Sequence, residues 1–284
     1  MQDDPTTLVS TEWLVRRLDA PDLRILDGSW HMPATGRDAR AEFGTTRIPG
    51  ARFFDIDAIA DPGSDLPHMA PTPEAFAAAA GALGIGDGDQ VVVYDAHGLM
   101  SAARVWWAFR LMGVRTVAVL DGGLPKWAAE GRPVEDGPQA DEARRLEAHR
   151  NDALVADLAD MRRATEGGGP QIVDARSAAR FEGREPEPRE GLRAGHMPGA
   201  RNVPFGTLLN PDGTMKDPDV LRAAFEGAGV DLSRPVVTTC GSGVTAAVLS
   251  LALARLGVES ALYDGSWSEW GAHDDLPVVT GPAD

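Results

Sequence analysis

Cys240, the only cysteine in the chain, opens the run Cys240-Gly241-Ser242-Gly243-Val244-Thr245. A strand-like stretch, Val236-Val237-Thr238-Thr239, comes before it, and a helical pattern from Ala246 to Leu256, closed by Gly257, comes after. The spacing predicts a thiol at a strand-to-helix turn. Backbone N–H groups converge there, and Gly241 and Gly243 let them close in. Such a ring favours an anion: first a thiolate, then whatever sulfur the thiolate carries. Elsewhere a lone cysteine is most often a small buried hydrophobe, but core cysteines rarely occupy this turn of an α/β unit. The loop is not a P-loop, because no Gly-Lys-Ser/Thr follows. It is not a nucleophile elbow either, because Ser242 lacks the G-x-S-x-G frame.

The elements that position this loop follow from periodicity. Short Val/Ile/Leu runs alternate with amphipathic segments throughout. Ala75 to Leu83 and Ala102 to Met112 read as helices, as do Leu154 to Thr165 and Leu221 to Ala228. Strands alternating with helices imply α/β domains with a mostly parallel sheet flanked by helices. In such sheets ligands bind beyond the carboxyl ends of strands, which is where Cys240 falls.

The chain is also written twice. Ile25-Leu26-Asp27-Gly28-Ser29-Trp30 has a counterpart in Ile172-Val173-Asp174-Ala175-Arg176-Ser177, and Ile48-Pro49-Gly50-Ala51-Arg52 in Met197-Pro198-Gly199-Ala200-Arg201. Val91-Val92-Val93-Tyr94-Asp95 matches Val236-Val237-Thr238-Thr239-Cys240. Leu120-Asp121-Gly122-Gly123 with Trp127 matches Tyr263-Asp264-Gly265-Ser266 with Trp270. Conserved order at an offset near 145 residues indicates two homologous domains. The expected division is a first domain over 1–136, a linker over 137–151 rich in breakers and charges, and a second domain over 152–284. Asp95 stands where the second copy has Cys240, in a loop one residue longer. A carboxylate cannot carry sulfane sulfur, so the first domain is expected to be catalytically inactive and the second catalytic.

Composition narrows the class. The 284 residues suffice for two domains with real cores. No apolar run is long enough to span a bilayer, and the N-terminal residues show no signal-peptide pattern. A single cysteine excludes an internal disulfide framework and suits a reducing cytoplasm. The net charge of −16 argues against nucleic acid or anionic membranes as partners. The six histidines are scattered and the cysteine lacks ligand spacing, so no metal is expected. With Cys240 alone, mild oxidation is expected to stop at a sulfenate, proceed irreversibly or link two chains.

The tandem copies, the aspartate in place of the first cysteine and the six-residue loop resemble the tandem-domain rhodanese superfamily over nearly the whole chain. Within it, the branch that uses 3-mercaptopyruvate is the more similar. The matching blocks include Leu26 to Trp30, Gly36 to Arg40, Ile48 to Ala51, Phe53 to Asp57, Arg180 to Arg189 and Gly195 to Ala200. Thiosulfate-preferring relatives place basic side chains where Gly241 and Ser242 stand. The loop chemistry favours the same donor independently, since an uncharged loop suits a keto acid better than a compact dianion. A cysteine phosphatase would need an arginine at Ala246.

The resemblance implies a sulfurtransferase in which Cys240 takes sulfur from 3-mercaptopyruvate, releases pyruvate and becomes a persulfide. The sulfur then passes to a thiol, a thioredoxin-like protein or cyanide. No cofactor is implied beyond that covalent intermediate. Gly241, Ser242, Gly243, Val244 and Thr245 would stabilise the persulfide through their amides. Arg180 and Arg189 would bind the donor's carboxylate and carbonyl, whereas Arg184 is not required by the pattern. Ser242, His68 and Asp57 would form a proton-handling relay across the domains. The alternative for His68 is a purely packing role, and for Ser242 a hydrogen bond to the donor carbonyl. His196, Asp27 and Asp174 read as structural. A thiosulfate:cyanide sulfurtransferase, a sulfur carrier without turnover and a non-catalytic interaction module remain as other readings. An internally paired chain has little need of a dimer, so a monomer is expected.

Overall fold

The computed structural model describes residues 2–137 and 142–283. They form two compact units. One holds residues up to 61, 70–151 and 209–215, and the other holds 62–69, 152–208 and 216 onward. Two short segments depart from a simple division of the chain into halves. Residues 62–69 belong with the second unit and 209–215 with the first. Four residues of the expected linker, 138–141, lie outside the described residues. Its remainder is strapped to the first unit: Arg144 N donates to Gly81 O at 2.8 Å, His149 N to Met112 O at 2.9 Å and Asn151 N to Leu111 O at 2.7 Å. Leu146 is buried and the Arg144 guanidinium pairs with Asp89 at 2.7 Å, so this segment has packing that its polar composition concealed.

The first unit is built on β1 (Leu8–Val9), β2 (Leu23–Asp27), β3 (Arg52–Phe53), β4 (Gln90–Tyr94) and β5 (Val117–Leu120). The second is built on β6 (Val155–Ala156), β7 (Gln171–Asp174), β8 (Arg201–Asn202), β9 (Val236–Thr239) and β10 (Ser260–Tyr263). Sheet orders are β1-β5-β4-β2-β3 and β6-β10-β9-β7-β8, all parallel, so the second unit repeats the first with each strand number raised by five. The central strands β4 and β9 read Val-Val-Val-Tyr and Val-Val-Thr-Thr. These runs are buried and rich in β-branched residues, as a sheet covered on both faces requires.

Ile172, Val237 and Tyr263 present one sheet face of the second unit to Met161, Phe181, Trp267 and Trp270. On the other face, Thr238 Oγ1 meets Ser250 Oγ of the helix Ala246–Arg255 at 2.9 Å. The helices expected around residues 75–83, 102–112, 221–228 and 246–256 are present as Pro73–Ala82, Ala102–Leu111, Pro218–Gly227 and Ala246–Arg255. The one expected over 154–165 starts later. Val155 and Ala156 pair with Leu262 and Tyr263 as an edge strand, and the helix Leu158–Thr165 begins only after a capping box at Asp157 and Asp160. No helix among the described residues is long and apolar enough to cross a membrane.

Candidate active site

β9 ends at Thr239, so Cys240 is the first residue beyond the carboxyl end of the central strand. Its helix starts six residues later, and Gly243 supplies the turn with a φ of 77° that a side chain would resist. Cys240 and Ser242 are both buried. The amides of Gly241, Ser242, Gly243, Val244 and Thr245 donate to no acceptor among the described residues. They remain available to a negative group on Cys240.

The equivalent loop of the first unit shows what such a ring of amides does. Asp95 follows β4 as Cys240 follows β9. Its Oδ1 accepts from His97 N at 2.8 Å, and its Oδ2 accepts from Met100 N at 2.7 Å and Ala102 N at 2.9 Å. The loop of the first unit therefore closes on its own carboxylate. That anion sits at the start of the helix Ala102–Leu111, where the dipole and unpaired N–H groups favour it.

A second wall was not anticipated from sequence. Cys240 N donates to Ser266 Oγ at 3.3 Å, and Ser266 Oγ donates to Tyr263 O at 2.9 Å. Trp267 N donates to Cys240 O and Ser268 N to Gly241 O, each at 2.9 Å, while Ser268 Oγ adds a bond to Gly241 O at 2.7 Å. Ser266 holds a φ of 51°, where its counterpart Gly123 lies at 54°. A serine in this region is strained, and its two hydrogen bonds hold it there. The signal was present in the repeat block Tyr263-Asp264-Gly265-Ser266, where a serine replaces the first copy's glycine.

Arg180 and Arg189 both approach the loop at Gly241. A Cβ placed on Gly241 would lie 3.1 Å from Arg180 Nη2 and 3.8 Å from Arg189 Nη1. Gly241 thus both frees an amide and leaves room for two guanidinium groups. Arg180 sits in the last turn of the short helix Ala178–Phe181, which Ser177 caps. Arg184 instead pairs with Glu182 at 2.6 Å on the exposed surface, in keeping with its omission from the expected site.

His68 is buried and belongs to the unit that carries Cys240, with a φ of 63°. Asp57 belongs to the other unit, where Trp30 Nε1 donates to its Oδ2 at 3.1 Å, and its part in the relay rests on the resemblance. His196 is structural: its ring stacks on Phe181 at 3.6 Å and its Nδ1 meets Phe181 O at 2.8 Å. Two of the scattered histidines do meet, His31 Nδ1 and His97 Nε2 at 2.8 Å. Still, no group of three metal-binding side chains forms among the described residues.

Fold and site together define a tandem α/β protein with one thiol-bearing loop and one carboxylate-filled copy. Residues 10–130 and 157–273 each match the family described as "Rhodanese-like domain". The chain belongs to that family. It is 44% identical to human 3-mercaptopyruvate sulfurtransferase, over 93% of this chain and 91% of that protein. It is also 44% identical to bovine thiosulfate sulfurtransferase, again over 93% and 91%. Among solved structures, that of the Escherichia coli 3-mercaptopyruvate sulfotransferase SseA superimposes with a TM-score of 0.85 at 42% identity, covering 93% of this chain and all of that one.

Proposed function

We propose that this chain is a sulfurtransferase whose donor is 3-mercaptopyruvate. The Cys240 thiolate attacks the donor's thiol sulfur. The carbon–sulfur bond breaks, its electron pair stays on carbon, and the resulting enolate takes up a proton to leave as pyruvate. Cys240 keeps the sulfur as a persulfide, held by the amides of Gly241 to Thr245, and needs no cofactor. A thiol, a thioredoxin-like protein or cyanide then removes the outer sulfur. Ser242 and His68 handle the proton that moves from donor sulfur to enolate carbon. The setting is a reducing cytoplasm and the working form a monomer.

One observation carries the choice of donor. Arg180 and Arg189 meet at Gly241, while the loop itself offers no cationic side chain. Two guanidinium groups outside an uncharged loop suit a carboxylate and a neighbouring carbonyl. Relatives named for each donor are equally identical to this chain, so it is this geometry that supports the choice of 3-mercaptopyruvate. The test compares pyruvate release from 3-mercaptopyruvate with thiocyanate formation from thiosulfate and cyanide, using Cys240→Ser as control. The expected result is faster, Cys240-dependent pyruvate release. Faster turnover of thiosulfate would replace the donor, and silence with both would leave a carrier or binding module.

A further inference from the structure

The two units build the same junction differently, and only the thiol-bearing unit builds it from charge. In the first unit, Asp27 ends β2 opposite Tyr94. Ser29 N donates to Asp27 Oδ1 at 2.8 Å, and Tyr94 Oη accepts from the amide of Ile48 at 3.3 Å. In the second unit, Asp174 ends β7 opposite Thr239. Arg176 N donates to Asp174 Oδ1 at 2.9 Å, so Arg176 occupies the place of Ser29 and Thr239 that of Tyr94. The small threonine leaves room for a guanidinium where the first unit has a phenol. Arg176 Nη2 then reaches Gly195 O at 2.9 Å, and its Cζ lies 4.2 Å from the centre of the Trp267 ring. Thr239 Oγ1 is buried with no hydrogen-bond partner, so the threonine is there for its size.

Arg176 continues outward. Its side chain is wholly buried and its Nη1 donates to Glu187 Oε1 at 2.8 Å, on a glutamate side chain only 1% exposed. Glu187 Oε1 also accepts from Arg180 Nε at 3.3 Å, and its Oε2 pairs with Arg180 Nη2. The chain Asp174–Arg176–Glu187–Arg180 therefore runs from the sheet to the guanidinium beside Gly241. The first unit reaches the same fold without it, so this row of charges serves the site and not the architecture.

We infer that Arg176 and Glu187 are positioning and specificity-determining residues: Glu187 holds Arg180 against the cysteine loop and lowers by one unit the positive charge a donor meets there. This rests on the reading that Arg180 binds the donor's anionic end. A singly charged keto acid suits such a trimmed pocket. Doubly charged thiosulfate gains twice as much from any added positive charge.

The experiment measures kcat/KM for 3-mercaptopyruvate and for thiosulfate in Glu187→Gln, Glu187→Asp, Arg176→Gln and Arg180→Ala, with circular dichroism to verify folding. Glu187→Gln makes the site one unit more positive and is expected to raise the thiosulfate-to-mercaptopyruvate ratio about five- to tenfold, whatever happens to the absolute rates. Arg176→Gln makes it one unit less positive and is expected to lower the same ratio, so either folded variant reads the proposal by sign. Glu187→Asp keeps the charge and should keep the wild-type ratio. A parallel fall of both donors with an unchanged ratio in the charge-changing variants would overturn the inference, since that is all a structural role predicts. Unchanged rates for both donors in Arg180→Ala would instead overturn the reading on which it rests.

Discussion

Ser242 has a burden that its neighbours in the loop do not share. It is buried two residues after Cys240, and its hydroxyl is the only side-chain proton carrier within the run from Gly241 to Val244. If it passes the proton that the departing enolate needs, its loss should slow chemistry and spare binding. Ser242→Ala is expected to lower kcat for pyruvate release roughly 100-fold, the low end of general acid–base contributions, with KM nearly unchanged. A hydroxyl that only hydrogen-bonds the donor carbonyl would raise KM instead. Steady-state kinetics at saturating acceptor separates the two.

The loop between β9 and the helix Ala246–Arg255 is the element that makes the site. Its demands are local, which is why the sequence reveals them so openly. A single cysteine, two spaced glycines and a β-branched run before an apolar helix leave few other arrangements. Gly241→Ala would put a methyl group 3.1 Å from Arg180 Nη2, displacing the guanidinium while leaving Cys240 in place. The expected outcome is a rise of about tenfold in KM for 3-mercaptopyruvate, from one weakened charge-assisted hydrogen bond, with little change in melting temperature. An unaltered KM would mean that Arg180 does not meet the donor. Other features were illegible because they depend on partners remote in sequence. Ser266 acts through a backbone amide 26 positions away. The two-residue strand β6 lacks the length to show a period and exists only through its pairing with β10. Glu187 is one more charge in a polar stretch of sequence, and its burial between Arg176 and Arg180 comes only with the fold.

Across the whole chain, the two units solve one folding problem with different electrostatics, and that difference should be measurable. Burial pushes the Asp27 carboxyl up to about 6 from its ordinary value of 3.8, against the hydrogen bonding around it. The folded chain therefore holds a proton that the unfolded chain has released between those values, and stability falls as pH rises through the window. Asn imitates the protonated form. Asp27→Asn should match the wild type near pH 4 and exceed it by roughly 2–3 kcal/mol above pH 6. Denaturant unfolding at several pH values reads this difference, and parallel curves for the two proteins would refute it. In the second unit Asp174 meets the Arg176 guanidinium instead, so its counterpart variant should show no such gain.

The carboxylate of Asp95, already ringed by the amides of His97, Met100 and Ala102, has a meaning beyond silence. Its oxygens stand two bonds from Cβ, as does the outer sulfur of a cysteine persulfide. On the proposed mechanism, the first unit thus carries permanently, as a genetically encoded side chain, the charge distribution that a persulfide would place on Cys240 in each turnover. The same atom count describes a sulfinate, with two oxygens on Sγ. Over-oxidation of Cys240 would therefore do more than damage a thiol: it would give the second unit, chemically, the anion-filled loop of the first.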